Sequence, residues 1–153
     1  MLSIGGNDFL QQRVQTDAGL LYFAKRVTEF LQTASDWGTT VFIANIYDPT
    51  FGKNENDILG IPENFRAAMR GRFNMLNAEI ARLTESIMDP QRYLVDLHGH
   101  FLIGSPDWFA SKIEPSERGA YEVGRVFYKA IKDVPEKSST PSPWGRSWKE
   151  SSS

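Results

Sequence analysis

Three short polar segments carry residue types suited to acyl or proton transfer, and each follows an apolar run of strand length. Gly5-Gly6-Asn7-Asp8 follows residues 2–4, Asn45 to Thr50 follows residues 39–44, and His98-Gly99-His100 follows residues 93–97. An asparagine just past a strand can aim its amide NH₂ at a developing oxyanion. Glycines beside it, Gly6 included, permit a tight turn and close backbone approach. The structural alternative is a helix start capped by Asn7 or Asp8. In extended chain His98 and His100 point the same way, and a histidine at the ligand edge of a sheet is a candidate general base. The alternative is a pair of ordinary loop histidines. Asp96, two residues earlier, reads as a capping or solvated carboxylate. Asp48 lies in Tyr47-Asp48-Pro49-Thr50, a turn signal in which it bonds its own backbone. Trp108 either walls a pocket or plugs the core, and the plug is preferred. Gly6, Asp8, Asp48 and Trp108 are the candidate binding residues.

These segments need elements to position them. Apolar residues Leu20, Leu21, Phe23, Ala24, Val27, Phe30 and Leu31 recur at three and four, which predicts a helix over 17–37 stopped by Gly38. Residues 39–46 form a compact β-branched and apolar run, which predicts a strand buried on both faces. Met69, Phe73, Leu76, Ile80, Leu83 and Ile87 predict a helix over 64–88, ended by Asp89-Pro90. The last helix is expected over 116–131, with Ser116 as its cap and Lys129 and Lys132 late. Residues 51–63 and 101–115 read as loops. From Pro135 the composition turns to Pro, Ser and Lys with isolated Trp144 and Trp148, which predicts a disordered tail over 135–153 after one domain over 1–134. The order β-α-β-α-β-α implies a parallel sheet covered on both faces. Ligands bind such sheets beyond the carboxyl ends of the strands, so the three polar segments should converge on one edge.

Composition removes several classes of function. The chain has 153 residues, enough for one core. With 41% hydrophobic and 24% charged residues it is globular, and a net charge of −2 gives no basic footprint for nucleic acid. Without cysteine there is no disulfide or thiolate metal site, and two histidines are too few for an all-histidine zinc site. No apolar run approaches the roughly 20 residues of a membrane span. The start has neither a basic n-region nor a long apolar h-region, so no signal peptide is visible and the sequence assigns no compartment.

Leu2-Ser3-Ile4-Gly5-Gly6-Asn7-Asp8 resembles the third conserved block of the SGNH (GDSL-type) hydrolases, in which the asparagine helps form the oxyanion hole. Residues 40–50 resemble the next strand in a bacterial branch, and Leu76-Asn77-Ala78-Glu79-Ile80 the helix after it. Val95-Asp96-Leu97-His98-Gly99-His100-Phe101 resembles its last strand. Ile113-Glu114-Pro115-Ser116-Glu117-Arg118-Gly119-Ala120 resembles the start of the final helix, where the family usually has its Asp-x-x-His-Pro block. The resemblance runs over residues 1–131 in order and spacing.

It implies a three-layer αβα, flavodoxin-like domain with a mainly parallel sheet that lacks its first strands. The family's nucleophilic serine sits in a Gly-Asp-Ser block after the first strand, and a second block adds an oxyanion glycine; both would precede residue 1. None of Ser3, Ser35, Ser86, Ser105, Ser111 or Ser116 has that context. In the final block Glu114 stands at the histidine position and Ser111 at the aspartate position. A glutamate with an ordinary pKa of about 4.3 is a weak base unless desolvated. The resemblance therefore implies His98 or His100 as base, Glu114 or Asp96 as its orienter, and Asn7 as oxyanion donor. The implied reaction is hydrolysis of a small-molecule carboxylic ester, of a lipid or an acylated carbohydrate, through an acyl-serine. It needs no cofactor or metal, and this chain alone is expected to be inactive. A second reading is a non-catalytic binding or assembly module, in which a homodimer or a partner chain covers the exposed sheet edge. A nucleotide-binding domain is disfavoured, because the chain has neither a P-loop lysine motif nor Gly-x-Gly-x-x-Gly.

Overall fold

The computed structural model describes residues 1–53, 63–85 and 92–134. The loop expected over 54–62, the helix end at 86–88 with its Asp89-Pro90 stop, and the tail from 135 lie outside the described residues. The elements are β1 (Leu2–Ser3), α1 (Gly6–Leu10), α2 (Asp17–Asp36), β2 (Val41–Ala44), α3 (Glu63–Glu85), β3 (Arg92–Val95), α4 (Leu97–Leu102), a 3₁₀ turn (Pro106–Trp108) and α5 (Glu117–Lys132). The three strands are parallel in the order β1-β2-β3, with Leu2 opposite Ile43 and Ala44 opposite Val95. The chain is thus an α/β domain.

Strand β2 explains the layering. Its alternate residues Val41 and Ile43 join the core made with α2 and α3. Phe42 and Ala44 face the other way, into a second cluster with Val95, Phe101 and the α5 residues Val123, Val126 and Phe127. A short apolar run without alternation is what a strand covered on both faces requires.

The helix ends follow their local chemistry. Thr16 Oγ1 accepts from Gly19 N at 3.1 Å to start α2, and Gly38 beyond its end takes a φ of 65°. Ser116 Oγ accepts from Gly119 N at 3.1 Å, as the expected cap of α5.

Two elements differ from the sequence expectation. Gly5-Gly6-Asn7-Asp8 enters the short helix α1, but neither polar residue caps it; the N-cap is Gly5, with no side-chain cap bond. Gly5 adopts a φ of 92°, which favours glycine, and a Cβ there would lie 3.2 Å from Ile46 Cδ1, which would have to shift slightly. The third strand stops at Val95 instead of running to Leu97. Asp96 caps a new helix turn, its Oδ1 accepting from Gly99 N at 2.9 Å. The capping role expected of Asp96 is therefore the observed one, and His98 and His100 are helical, not extended.

Candidate functional site

A cavity of about 640 Å³ opens beyond the carboxyl ends of β1 and β2. Its walls come from three parts of the chain: residues 3–10, residues 45–50, and Ile113 with Glu114, closed by Arg66, Met69, Arg70 and Phe73 of α3. The candidate residues Gly6, Asn7, Asp8, Asp48 and Glu114 all line it. Five positions spread over more than a hundred residues thus meet at one sheet edge, as the topology requires.

The histidines are not among them. Residues two apart on a helix diverge by roughly 200°, whereas on a strand they align. The His98 ring sits 5.6 Å from Phe73, one layer behind the cavity wall, and its Nδ1 is buried without a partner among the described residues. His100 turns away, with Nε2 2.9 Å from Glu122 Oε2 on α5. An ionised carboxylate only accepts, so the imidazole Nε2 carries the hydrogen. The expectation that the two rings point the same way is corrected by the Asp96 cap, and neither histidine lines the cavity. Trp108 does not line the cavity either. It stacks on His100 at 5.2 Å and meets Phe101 edge-on at 5.1 Å, which makes it the plug over the second core cluster.

Each lining residue has a definite environment. The Asn7 side chain is exposed and makes no protein hydrogen bond among the described residues, so its amide is available to a ligand. Asp8 lies 3.8 Å from Arg13. Asp48 is only 4% exposed and fully engaged: it accepts from Thr50 N at 2.8 Å, Thr50 Oγ1 at 2.6 Å and Gly52 N at 3.1 Å, and pairs with Arg70. It builds the wall, as its turn chemistry foretold. Glu114 is exposed at the rim. It is carried there by a small loop closed by the Ala110 N–Glu114 O bond of 2.9 Å and the Phe109–Pro115 bridge. Tyr47 donates its hydroxyl to the Ile113 carbonyl at 3.0 Å, tying that loop to the strand end. Burial and then the nearby Glu114 charge raise the Tyr47 pKa, so the phenol stays a donor.

Sequence reasoning missed Arg70, Asn77 and Glu122. Asn77 holds the cavity wall from behind: its Oδ1 accepts from Ile46 N at 2.8 Å and its Nδ2 donates to Ile46 O at 2.9 Å. The available signal was a polar residue on the apolar stripe Phe73-Leu76-Ile80-Leu83. Asn45 likewise bridges two strand ends, donating to Asp96 Oδ1 at 2.7 Å and accepting from His98 N at 2.7 Å. Arg70 had no such signal, since its partner Asp48 is remote in sequence.

Glu122 is a buried carboxylate outside the cavity, held by His100, by Arg125 at 2.8 Å and by Arg118 at 3.5 Å. The His100 hydrogen bond, opposed by burial and aided by Arg125, lowers its pKa. A carboxyl lowered on folding adds stability above its unfolded pKa and loses it as pH falls through the folded one. Urea midpoints should therefore drop more between pH 5 and pH 3 for the parent protein than for Glu122→Gln. Parallel losses in the two proteins would show that Glu122 contributes nothing to acid unfolding.

Among the described residues no group of three or more histidine, aspartate or glutamate side chains is placed to hold a metal. Comparison with protein-family models, curated proteins and solved structures found no match to this chain.

Proposed function

We propose that the cavity is the acyl-binding side of an ester-hydrolase site, on a three-layer αβα domain of SGNH type. The observation that carries this is Asn7: an unengaged carboxamide just past a parallel strand, at the mouth of a cavity with an apolar floor. A tetrahedral intermediate places its negative oxygen where such an amide can donate. Ile46, Met69 and Phe73 offer the acyl chain a surface, and Asn7, Tyr47 and Glu114 form the polar rim. No described serine pairs with a described histidine, so this reading assigns nucleophile and base to residues outside those described. Asn7 is the oxyanion donor, and Glu114 is a substrate-contacting rim residue.

The test uses this chain and the protein of the full open reading frame in which it lies, here the extended protein. The extended protein should hydrolyse p-nitrophenyl acetate and take one fluorophosphonate adduct by intact mass, while this chain takes none. In the extended protein Asn7→Ala should lower kcat by about 10²- to 10³-fold. Hydrolysis unaffected by Asn7→Ala, or no hydrolysis and no adduct from the extended protein, overturns the reading.

One observation favours the assembly module as a second reading. Among the described residues strand β1 pairs with β2 alone, and beside its other edge lies a groove of about 350 Å³ with Tyr22 and Phe30 of α2 exposed along it. An unpaired edge flanked by aromatics is a template for another chain. A dimer mass by light scattering would support that reading, and a monomer at millimolar concentration would count against self-association.

A further inference from the structure

The outward face of α5 has a composition that neither cavity uses. The helix buries Gly119 and Glu122 and packs Val123, Val126, Phe127 and Ala130 on the second core cluster. At 100° per residue, Tyr121, Arg125, Tyr128 and Lys132 then form one stripe on the opposite side. Tyr121 and Tyr128 are 64% and 61% exposed, far more than their rings' apolar area favours in water. Cations accompany both rings, with Arg118 6.0 Å from the Tyr121 centroid and Lys132 Nζ 5.5 Å from that of Tyr128. Lys129 extends the positive face, from which the buried Glu122 neutralises one charge through its pairs with Arg118 and Arg125. Exposed acids stand only at its ends, Glu117 in the first turn and Asp133 at the C-cap.

The chain as a whole carries −2, so this positive strip is a local feature that would orient the molecule. No residue of α5 lines either of the two cavities described above. A row of phenols and cations along one helix face suits a flat, anionic boundary between polar and apolar phases. Phenols partition to the headgroup level, and lysine and arginine follow the negative surface potential. The sequence after the helix repeats the alternation with Trp144, Arg146, Trp148 and Lys149. No described helix is long and apolar enough to cross a membrane, so the contact would be peripheral.

We propose that the outward face of α5 docks this protein on an anionic phospholipid surface. The inference is independent of the hydrolase reading. The test is flotation of the full chain with vesicles of phosphatidylcholine alone or with 30% phosphatidylserine. Binding is expected only with phosphatidylserine, and it should be lost in 0.5 M salt. Each cation removed should weaken binding about fivefold, so Lys129→Gln with Lys132→Gln should cost about 25-fold. Tyr121→Ser with Tyr128→Ser should weaken binding at unchanged salt dependence, which separates the aromatic from the charge contribution. Both double variants alter exposed side chains, and an unchanged melting temperature verifies their fold. Equal binding to both vesicle types, no binding to either, or binding unaffected by the variants overturns the proposal. Binding to polyglutamate but not to vesicles also overturns it, by reassigning the face to an acidic protein partner.

Discussion

Asp48→Ala is expected to destabilise the protein by about 3–5 kcal/mol, the range for removing one partner of a buried ion pair. The Arg70 side chain is 19% exposed and loses its carboxylate, while the amides of Thr50 and Gly52 lose their acceptor. Arg70 Nη2 also donates to Thr50 Oγ1 at 2.7 Å, so the loss spreads through the turn that forms one cavity wall. Asp48→Asn keeps an acceptor for the turn but not the charge, and should fall between alanine and the parent. In Asp48→Ala with Arg70→Met both members of the pair are gone, so the double variant should be less destabilised than the sum of the singles. Urea unfolding at constant m-value reads the parent, Asp48→Ala, Asp48→Asn, Arg70→Met and the double variant. A loss below about 1 kcal/mol for Asp48→Ala would mean that the pair is solvated and does not hold the wall.

Gly119→Ala sets two effects of opposite sign against each other. Helix propensity alone favours alanine by about 1 kcal/mol. A Cβ at this position, however, would lie 2.0 Å from the Trp108 carbonyl oxygen. That oxygen is backbone, and it already accepts from Ser116 N at 2.8 Å, so it cannot yield without shifting the 3₁₀ turn off the helix start. Contact should win, with a net loss of about 2–3 kcal/mol. Gly124 lies in the same helix with nothing within 4 Å of a Cβ, so Gly124→Ala should stabilise by about 0.5–1 kcal/mol. Thermal unfolding of the pair decides the matter: a stabilised Gly119→Ala would show that the turn is free to move. Displacement of Trp108 should also change tryptophan fluorescence in Gly119→Ala and not in Gly124→Ala.

The architecture was legible because periodicity records which side of an element is covered. Residues 17–37 show the helical spacing and Ser116 marks a cap before 117–131, and α2 and α5 lie within one or two residues of those bounds. Residues 39–46 lack alternation, and β2 is covered on both faces. The meeting of Asn7 and Asp48 followed from parallel topology, whereas Glu114 is brought there by the 109–115 loop and the third strand's polar segment stays outside the lining. The segment after the third strand was misjudged because the Asp96 cap competes with extended chain there, and no apolar period distinguishes a six-residue helix from a strand end. With that local competition decided for the helix, neither histidine lines the cavity. Arg70 and Asn77 stayed hidden for a different cause: their partners are Asp48 and the Ile46 backbone, and long-range polar pairing leaves no periodic trace.

The alternation along β2 has a consequence for how this chain tolerates change in length. Four residues feed two cores, Val41 and Ile43 on one side and Phe42 and Ala44 on the other. Inserting or deleting a single residue within that strand would exchange the two sets, sending phenylalanine toward α2 and α3 and shifting the pairing with both neighbours. A conservative point substitution there removes a methyl group or two; a one-residue indel inverts the sheet's central strand. Length variation among relatives of this domain should therefore collect in the connections, such as residues 11–16 between α1 and α2, and spare residues 41–44 altogether.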